Sequence, residues 1–142
     1  MNLKKVLGFL TLLLFLSCEI PQDPRKSWEN IEDTQFNVGV VIRENNEGVE
    51  TSKIIEREKD LIKNFSNQHG LKLNMVEGSE TYLVHKLESY ELDAVIGGFK
   101  SKSVWGKYVG MTKPYDHRHV IFIPKGENKL LYKLESFILK HK

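Results

Sequence analysis

Three stretches of the chain gather side chains capable of binding or proton transfer. In Asp116-His117-Arg118-His119, an extended backbone would put His117 and His119 on one side, so that two imidazoles could share a cation, and Asp116 and Arg118 on the other. Two ligands without a third make a weak metal site, and the simpler reading is a surface linker in which Asp116 pairs with Arg118. The second stretch is Gly97-Gly98-Phe99-Lys100-Ser101-Lys102. Its glycines let backbone approach a bound group and its lysines suit a carboxylate or phosphate. Equally, the glycines could only relieve a tight turn and the lysines only meet solvent. The third pairs Trp105 with Tyr115, rings that could stack on a ligand or take a cation on their faces, or simply pack a sheet edge. There is no nucleophile elbow, no His-Glu-x-x-His, no P-loop and no pair of carboxylates in a glycine-framed turn. Nothing specific supports catalysis, so the chain is not expected to be an enzyme or to hold a cofactor or metal.

A chain of 142 residues, 40% hydrophobic and 28% charged, suits a single globular domain. Its 21 Lys+Arg against 19 Asp+Glu leave a net charge of +2, and no dense basic stripe is interleaved with aromatics. A nucleic-acid partner is therefore not expected. The single cysteine, Cys18, rules out an intrachain disulfide and a multi-cysteine metal centre.

Lys4 and Lys5 precede an almost wholly apolar run from Val6 to Leu16, which ends at Ser17. This is the pattern of a secretory signal, too short for a membrane span of roughly 20 apolar residues. Leu16-Ser17-Cys18 resembles the lipobox of bacterial lipoproteins, whose cysteine is acylated and becomes the mature N-terminus, although Phe15 stands where a smaller aliphatic is usual. The other reading is an ordinary signal peptide with a coincidental cysteine. The lipobox resemblance implies a signal peptide at 1–17 and an acyl (palmitate) anchor on Cys18; Pro21 and Pro24 among charges, without apolar periodicity, read as a tether over 18–34, which leaves 35–142 for the one folded lobe. The same resemblance implies a bacterial cell-envelope protein, lipid-anchored and facing periplasm or exterior. Losing Lys4 and Lys5 takes the basic residues from 21 to 19, equal to the 19 acidic ones, so no polybasic attraction to anionic lipid remains.

The elements that must position these residues follow from periodicity. Phe36 to Ile42 is a β-branched run, as in a buried strand. From Ser52, a candidate N-cap, Ile54, Ile55, Glu58, Leu61, Ile62 and Phe65 recur at helical spacing, and Gly70 suits the stop. Leu71, Leu73 and Met75 alternate with polar residues, the period of a strand with one wet face. Ser79 can cap a helix burying Leu83, Leu87 and Tyr90. Ala94 to Gly97 predicts a third strand followed by a loop over 99–103, and Val120 to Ile123 a further strand. A final helix places Leu130, Leu134, Phe137 and Ile138 on one face. Strand and helix alternate, as in a parallel sheet covered by helices. Ligands of such sheets sit beyond the carboxyl ends of the strands, which puts Arg43 to Asn45, Ser79, and Gly98 to Ser103 at the candidate site.

Gly78-Ser79-Glu80, then Leu87 through Gly98 with its Glu91-Leu92-Asp93 turn, then Val109 to Pro114-Tyr115 resemble the first lobe of the type 2 periplasmic solute-binding proteins. The likeness is to family 3, which serves ABC importers. Val120-Ile121-Phe122-Ile123-Pro124-Lys125-Gly126 resembles the strand and turn that return from that family's second lobe. The resemblance implies a three-layer α/β sandwich, a mostly parallel sheet with one antiparallel strand. It also implies binding of a small solute, anionic or zwitterionic, by Glu44, Asn45, Ser79, Gly97, Gly98, Phe99, Lys100, Ser101, Trp105 and Tyr115. Where a full-length member inserts its second lobe, only Asp116-His117-Arg118-His119 stands here. Counting back from Pro114-Tyr115, the family's carboxylate-clamping arginine falls at Trp105, which cannot form a bidentate ion pair. One lobe offers one wall, so an ABC permease or a homodimer partner is expected to supply the other. The alternative is a non-catalytic envelope scaffold that has lost solute binding.

Overall fold

A computed structural model describes residues 23–43 and 48–141. Cys18, Glu44 and Asn45 lie outside them. The chain runs α1 (Ser27–Asp33), β1 (Phe36–Val41), α2 (Val49–His69), β2 (Leu73–Gly78), α3 (Glu80–Glu88), β3 (Ala94–Lys100), a 3₁₀ turn (Val104–Lys107), β4 (Gly110–Met111), β5 (His119–Ile123) and α4 (Asn128–Lys140). The strands form one sheet in the order β2-β1-β3-β5-β4. β1 pairs in parallel with β2 and β3, whereas β5 pairs antiparallel with both β3 and β4. Among the described strands, β5 thus runs against the rest.

Alternation along the strands builds two cores, because successive side chains leave a strand on opposite faces. Phe36, Val38 and Val40 of β1, Ala94 and Ile96 of β3, and Ile121 and Ile123 of β5 pack against α1, α2 and α4. Val41, Val95, Phe99, Val120 and Phe122 meet Leu83, Val84 and Leu87 of α3 on the other side. The result is the expected three-layer sandwich. Gly39 lets α3 and the turn after it lie close to the sheet: a Cβ there would meet Leu83 Cδ2 of α3 at 3.1 Å and Leu92 Cδ1 at 2.9 Å.

The expected tether over 18–34 is too long. From Ser27 the chain is α1, which buries Trp28 and Ile31, each 2% exposed, in the first core. Two apolar residues among charges are too few to register as a helical period. The helix also lacks a side-chain cap of its own and borrows one from the far end of the sequence. Glu127, itself buried, accepts hydrogen bonds from the Ser27 N–H at 2.9 Å and the Arg25 N–H at 2.8 Å. Asp23 returns the arrangement by accepting from the Lys129 N–H in the first turn of α4, at 2.9 Å. Smaller differences concern boundaries. α2 starts at Val49 behind Gly48, so Ser52 caps nothing, and β3 continues through Phe99 and Lys100 into the expected loop. Gly70 does end α2, with φ +64°. Among the described residues, no helix is long and apolar enough to cross a membrane.

Candidate functional site

The parallel strands β1 and β3 end at one pole of the sheet, where the helices that follow β1 and β2 begin. At that pole lies a hollow of about 410 Å³, within the size range of small-molecule pockets. Arg43 beyond β1, Thr51 in the first turn of α2 and Glu80 at the start of α3 form part of its wall. Gly98, Phe99 and Lys100 at the end of β3, with Lys102, Ser103 and Val104 after it, form the remainder.

Gly97 and Gly98 are required by geometry. The pairing of β3 with β5 shifts register between Val95 and Phe99, a bulge. Gly98 takes φ +66°, and a Cβ on Gly97 would fall 2.6 Å from Val41 Cγ2. The polar groups this bulge frees are engaged from within the protein. Arg43 donates through Nε and Nη2 to the Gly97 carbonyl, at 3.2 and 2.8 Å, and approaches Glu80 Oε2 at 3.3 Å. The Gly98 N–H donates to Glu58 Oε2 at 2.9 Å. Glu58 Oε1 accepts from the Tyr115 hydroxyl at 2.6 Å. Glu58 is fully buried, and burial pushes its carboxyl above the usual range, against the opposing effect of the Tyr115 and backbone hydrogen bonds. Burial and the neighbouring Glu58 carboxylate together push the Tyr115 hydroxyl up. The Gly98 N–H thus already serves an internal carboxylate.

The residues expected at the site divide. Gly98, Phe99 and Lys100 line the hollow, Phe99 while stacking on Phe122 at 3.8 Å between ring centroids. Gly97 lies behind it. Ser79 is the N-cap of α3, as expected, but its hydroxyl is turned to the Tyr82 N–H at 3.4 Å. The Ser101 N–H donates to the Arg118 carbonyl, and its side chain is not part of the wall. Trp105 supports the wall from outside, its indole N–H donating to Glu80 Oε1 at 2.6 Å. Tyr115 belongs to the opposite core, on the α2 side, so the two rings share no ligand face. It borders a separate cleft of about 110 Å³ with Arg57, Leu61, Ile138 and His141. Thr51, Glu80 and Val104 are lining residues the sequence reading missed, as it missed the role of Glu58.

The Asp-His-Arg-His stretch is a turn, not an extended segment. His119 is buried and His117 exposed, so they do not share a side. Asp116 accepts from the Arg118 and His119 N–H groups, each at 2.8 Å, and from His119 Nδ1 at 2.7 Å; it does not pair with the Arg118 guanidinium. Burial opposes the charge, but these bonds hold the Asp116 carboxyl down at about 2. Among the described residues, no group of three or more His, Cys, Asp or Glu could hold a metal ion.

Among the described residues that line the hollow, three are cationic, Arg43, Lys100 and Lys102, and one is a carboxylate, Glu80. Arg43 and Glu80 neutralise each other, and no described carboxylate pairs with Lys100 or Lys102.

No protein-family model and no curated protein matches the chain. Solved structures do resemble it. The arginine-bound form of domain 1 from TmArgBP has a TM-score of 0.63 and 20% identity, with 79% of this chain and 97% of that one covered. A mutant of the same domain gives 0.65 at 20% identity, over 81% and 97%. The arginine-bound form of truncated ArgBP from T. maritima gives 0.62 at 12% identity, over 80% and 99%. At these identities the likeness is one of fold: the chain has the same α/β architecture as those domains.

Proposed function

We propose that this chain is an extracytoplasmic lipoprotein, anchored through Cys18 to the bacterial cell envelope and facing periplasm or exterior. Its lobe binds a small anionic or zwitterionic solute, in the manner of the substrate-binding component of an ABC importer. One observation carries this reading: a hollow of about 410 Å³ lies at the carboxyl ends of β1 and β3, where two lysines meet that have no carboxylate partner among the described residues. The structures it resembles are arginine-bound forms. Here, the excess of cationic side chains disfavours a guanidinium ligand and favours a carboxylate or phosphate.

A single lobe covers one side of a ligand, whereas good pockets bury 70–90% of one. Affinity for the isolated lobe therefore falls at about 10 μM to 1 mM, roughly −7 to −4 kcal/mol. Tighter binding needs a second wall from another copy or a permease. Calorimetry with succinate, inorganic phosphate and arginine tests the reading. The anions should bind, and Lys100→Gln with Lys102→Gln should weaken them roughly tenfold, since a charge-assisted hydrogen bond contributes about 1.5–3 kcal/mol before solvent screening. Arginine binding that equals the anions, or no heat with any of them, would contradict it.

A second reading is a non-catalytic envelope scaffold. It draws on the exposed apolar residues at the same pole, Ile42, Val49 and Val104, which are 57%, 73% and 82% exposed. It predicts no small-molecule binding and retention of a protein partner after Lys100→Gln.

A further inference from the structure

The lobe has two poles, and the anchor is tied to the one without the hollow. β1 and β3 begin, and β5 ends, at the lower pole, because Val95 pairs with Phe122 whereas Lys100 pairs with His119 at the upper end. The chain leaves β5 there through Glu127, whose carboxylate holds the Arg25 and Ser27 N–H groups, and enters α4, whose Lys129 N–H is held by Asp23. Pro24 lies against this turn, 3.6 Å from where a Cβ on Gly126 would stand, and Arg25 lies over the Tyr90 ring at 5.2 Å. Asp23 is thus fixed at the lower pole. Five Cα steps separate it from Cys18, so the link spans at most about 18 Å whatever conformation it takes. The strands alone separate the poles by about 20 Å. If the hollow faced the membrane that holds Cys18, the lower pole would stand farther from that membrane than the link can reach.

We infer that the hollow never faces its own membrane, and that the second wall is a neighbouring copy of this chain, not a permease embedded in that membrane. The inference rests on lipidation of Cys18, part of the reading above. A quarter-turn tilt stays within the reach of the link and lets two lobes on one membrane face each other. Their exposed apolar rims, Ile42, Val49 and Val104, would meet around a shared anion that offsets Lys100 and Lys102 from each copy.

The test uses the full lipidated chain in phosphatidylcholine vesicles, with succinate or inorganic phosphate added. Cys18 is the only cysteine, so once it is acylated an introduced thiol is unique. Val104→Cys marks the upper pole and Asp33→Cys, exposed just before β1, the lower. With the lobe tilted by a quarter-turn the two poles stand at similar height, so a fluorophore at Val104→Cys should be quenched by a headgroup quencher no more strongly than one at Asp33→Cys. A short bis-maleimide should give dimers from Val104→Cys and none from Asp33→Cys, the yield rising at least threefold with the anion. Val49→Cys, exposed at the same pole, replaces Val104→Cys if the latter fails to fold. Quenching stronger at Val104→Cys than at Asp33→Cys, or dimers from Asp33→Cys only, would overturn the inference and leave solute binding standing. A chain whose mass shows no lipid would overturn both the anchor and the inference.

Discussion

Gly97 and Gly98 answer different demands, and substitutions separate them. Alanine at 97 would drive a methyl to within 2.6 Å of Val41 Cγ2, so Gly97→Ala should cost about 1–3 kcal/mol through overpacking. At 98 the space is open, 3.4 Å from Ile54 Cγ2, but φ is +66°, so Gly98→Ala should cost about 1–2 kcal/mol through backbone strain. Urea denaturation measures both. Glu58→Ala leaves the Tyr115 hydroxyl and the Gly98 N–H unpaired, a loss of about 2–4 kcal/mol, whereas Glu58→Gln keeps a partner for each and should be far milder. Asp93 sets a pH dependence. It accepts from the Asn37 N–H at 2.8 Å, yet burial raises its carboxyl from 3.8 to about 6. The folded protein therefore keeps a proton that the unfolded chain releases, and stability falls as pH rises from about 4 to about 6, by at most about 3 kcal/mol. Asp93→Asn should flatten that part of a thermal-midpoint profile, and an unchanged slope would show the group to be solvated. Glu58, shifted in the same direction, adds to the fall above 4.5. Part of the site was legible because strand ends and glycines mark it: Gly98 and Lys100 stand where the rule for open sheets puts them. Thr51 and Glu80 were not, because helix starts reach the hollow only once the strand order is known. Glu58 did leave a signal, a carboxylate within the apolar stripe of Ile54, Ile55, Leu61 and Ile62.

The elements were legible to the degree that their periods were long. α2, α4 and the strands declared themselves by apolar spacing, but α1 offers only Trp28 and Ile31, and its cap lies 100 residues away in Glu127. That long-range dependence is testable. Glu127→Ala should cost about 1–3 kcal/mol by stranding two N–H groups, and Trp28→Ala about 3–5 kcal/mol by opening the first core. If α1 were only part of a tether, both changes would leave the urea midpoint where it was. The end of α3 shows a different compromise. The Glu91 N–H reaches back to the Lys86 carbonyl and the Tyr90 N–H to that of Leu87, the bonds of a Schellman turn, which places Tyr90 at φ +61°. The turn tolerates a tyrosine there because its ring lies beneath Arg25 and its hydroxyl donates to the Lys125 carbonyl at 3.3 Å, tying α3 to the same lower pole.

For the whole molecule, the layered sandwich explains why the hollow exists and why it is shallow. Helices on both faces of the sheet bring the starts of α2 and α3 together over the ends of β1 and β3, but nothing among the described residues closes the hollow from above. The internal bonds of Arg43, Glu80 and Glu58 shape it before any ligand arrives, so binding should need little rearrangement of backbone. Chemical-shift mapping of the ¹⁵N-labelled protein during a titration with succinate or phosphate tests this most directly. Saturable shifts should gather at the amides of Arg43, Thr51 and Gly98 to Val104, with the amides of Arg57 and His141 unmoved. Shifts centred on the small cleft beside Tyr115, or a spectrum indifferent to every anion, would contradict it.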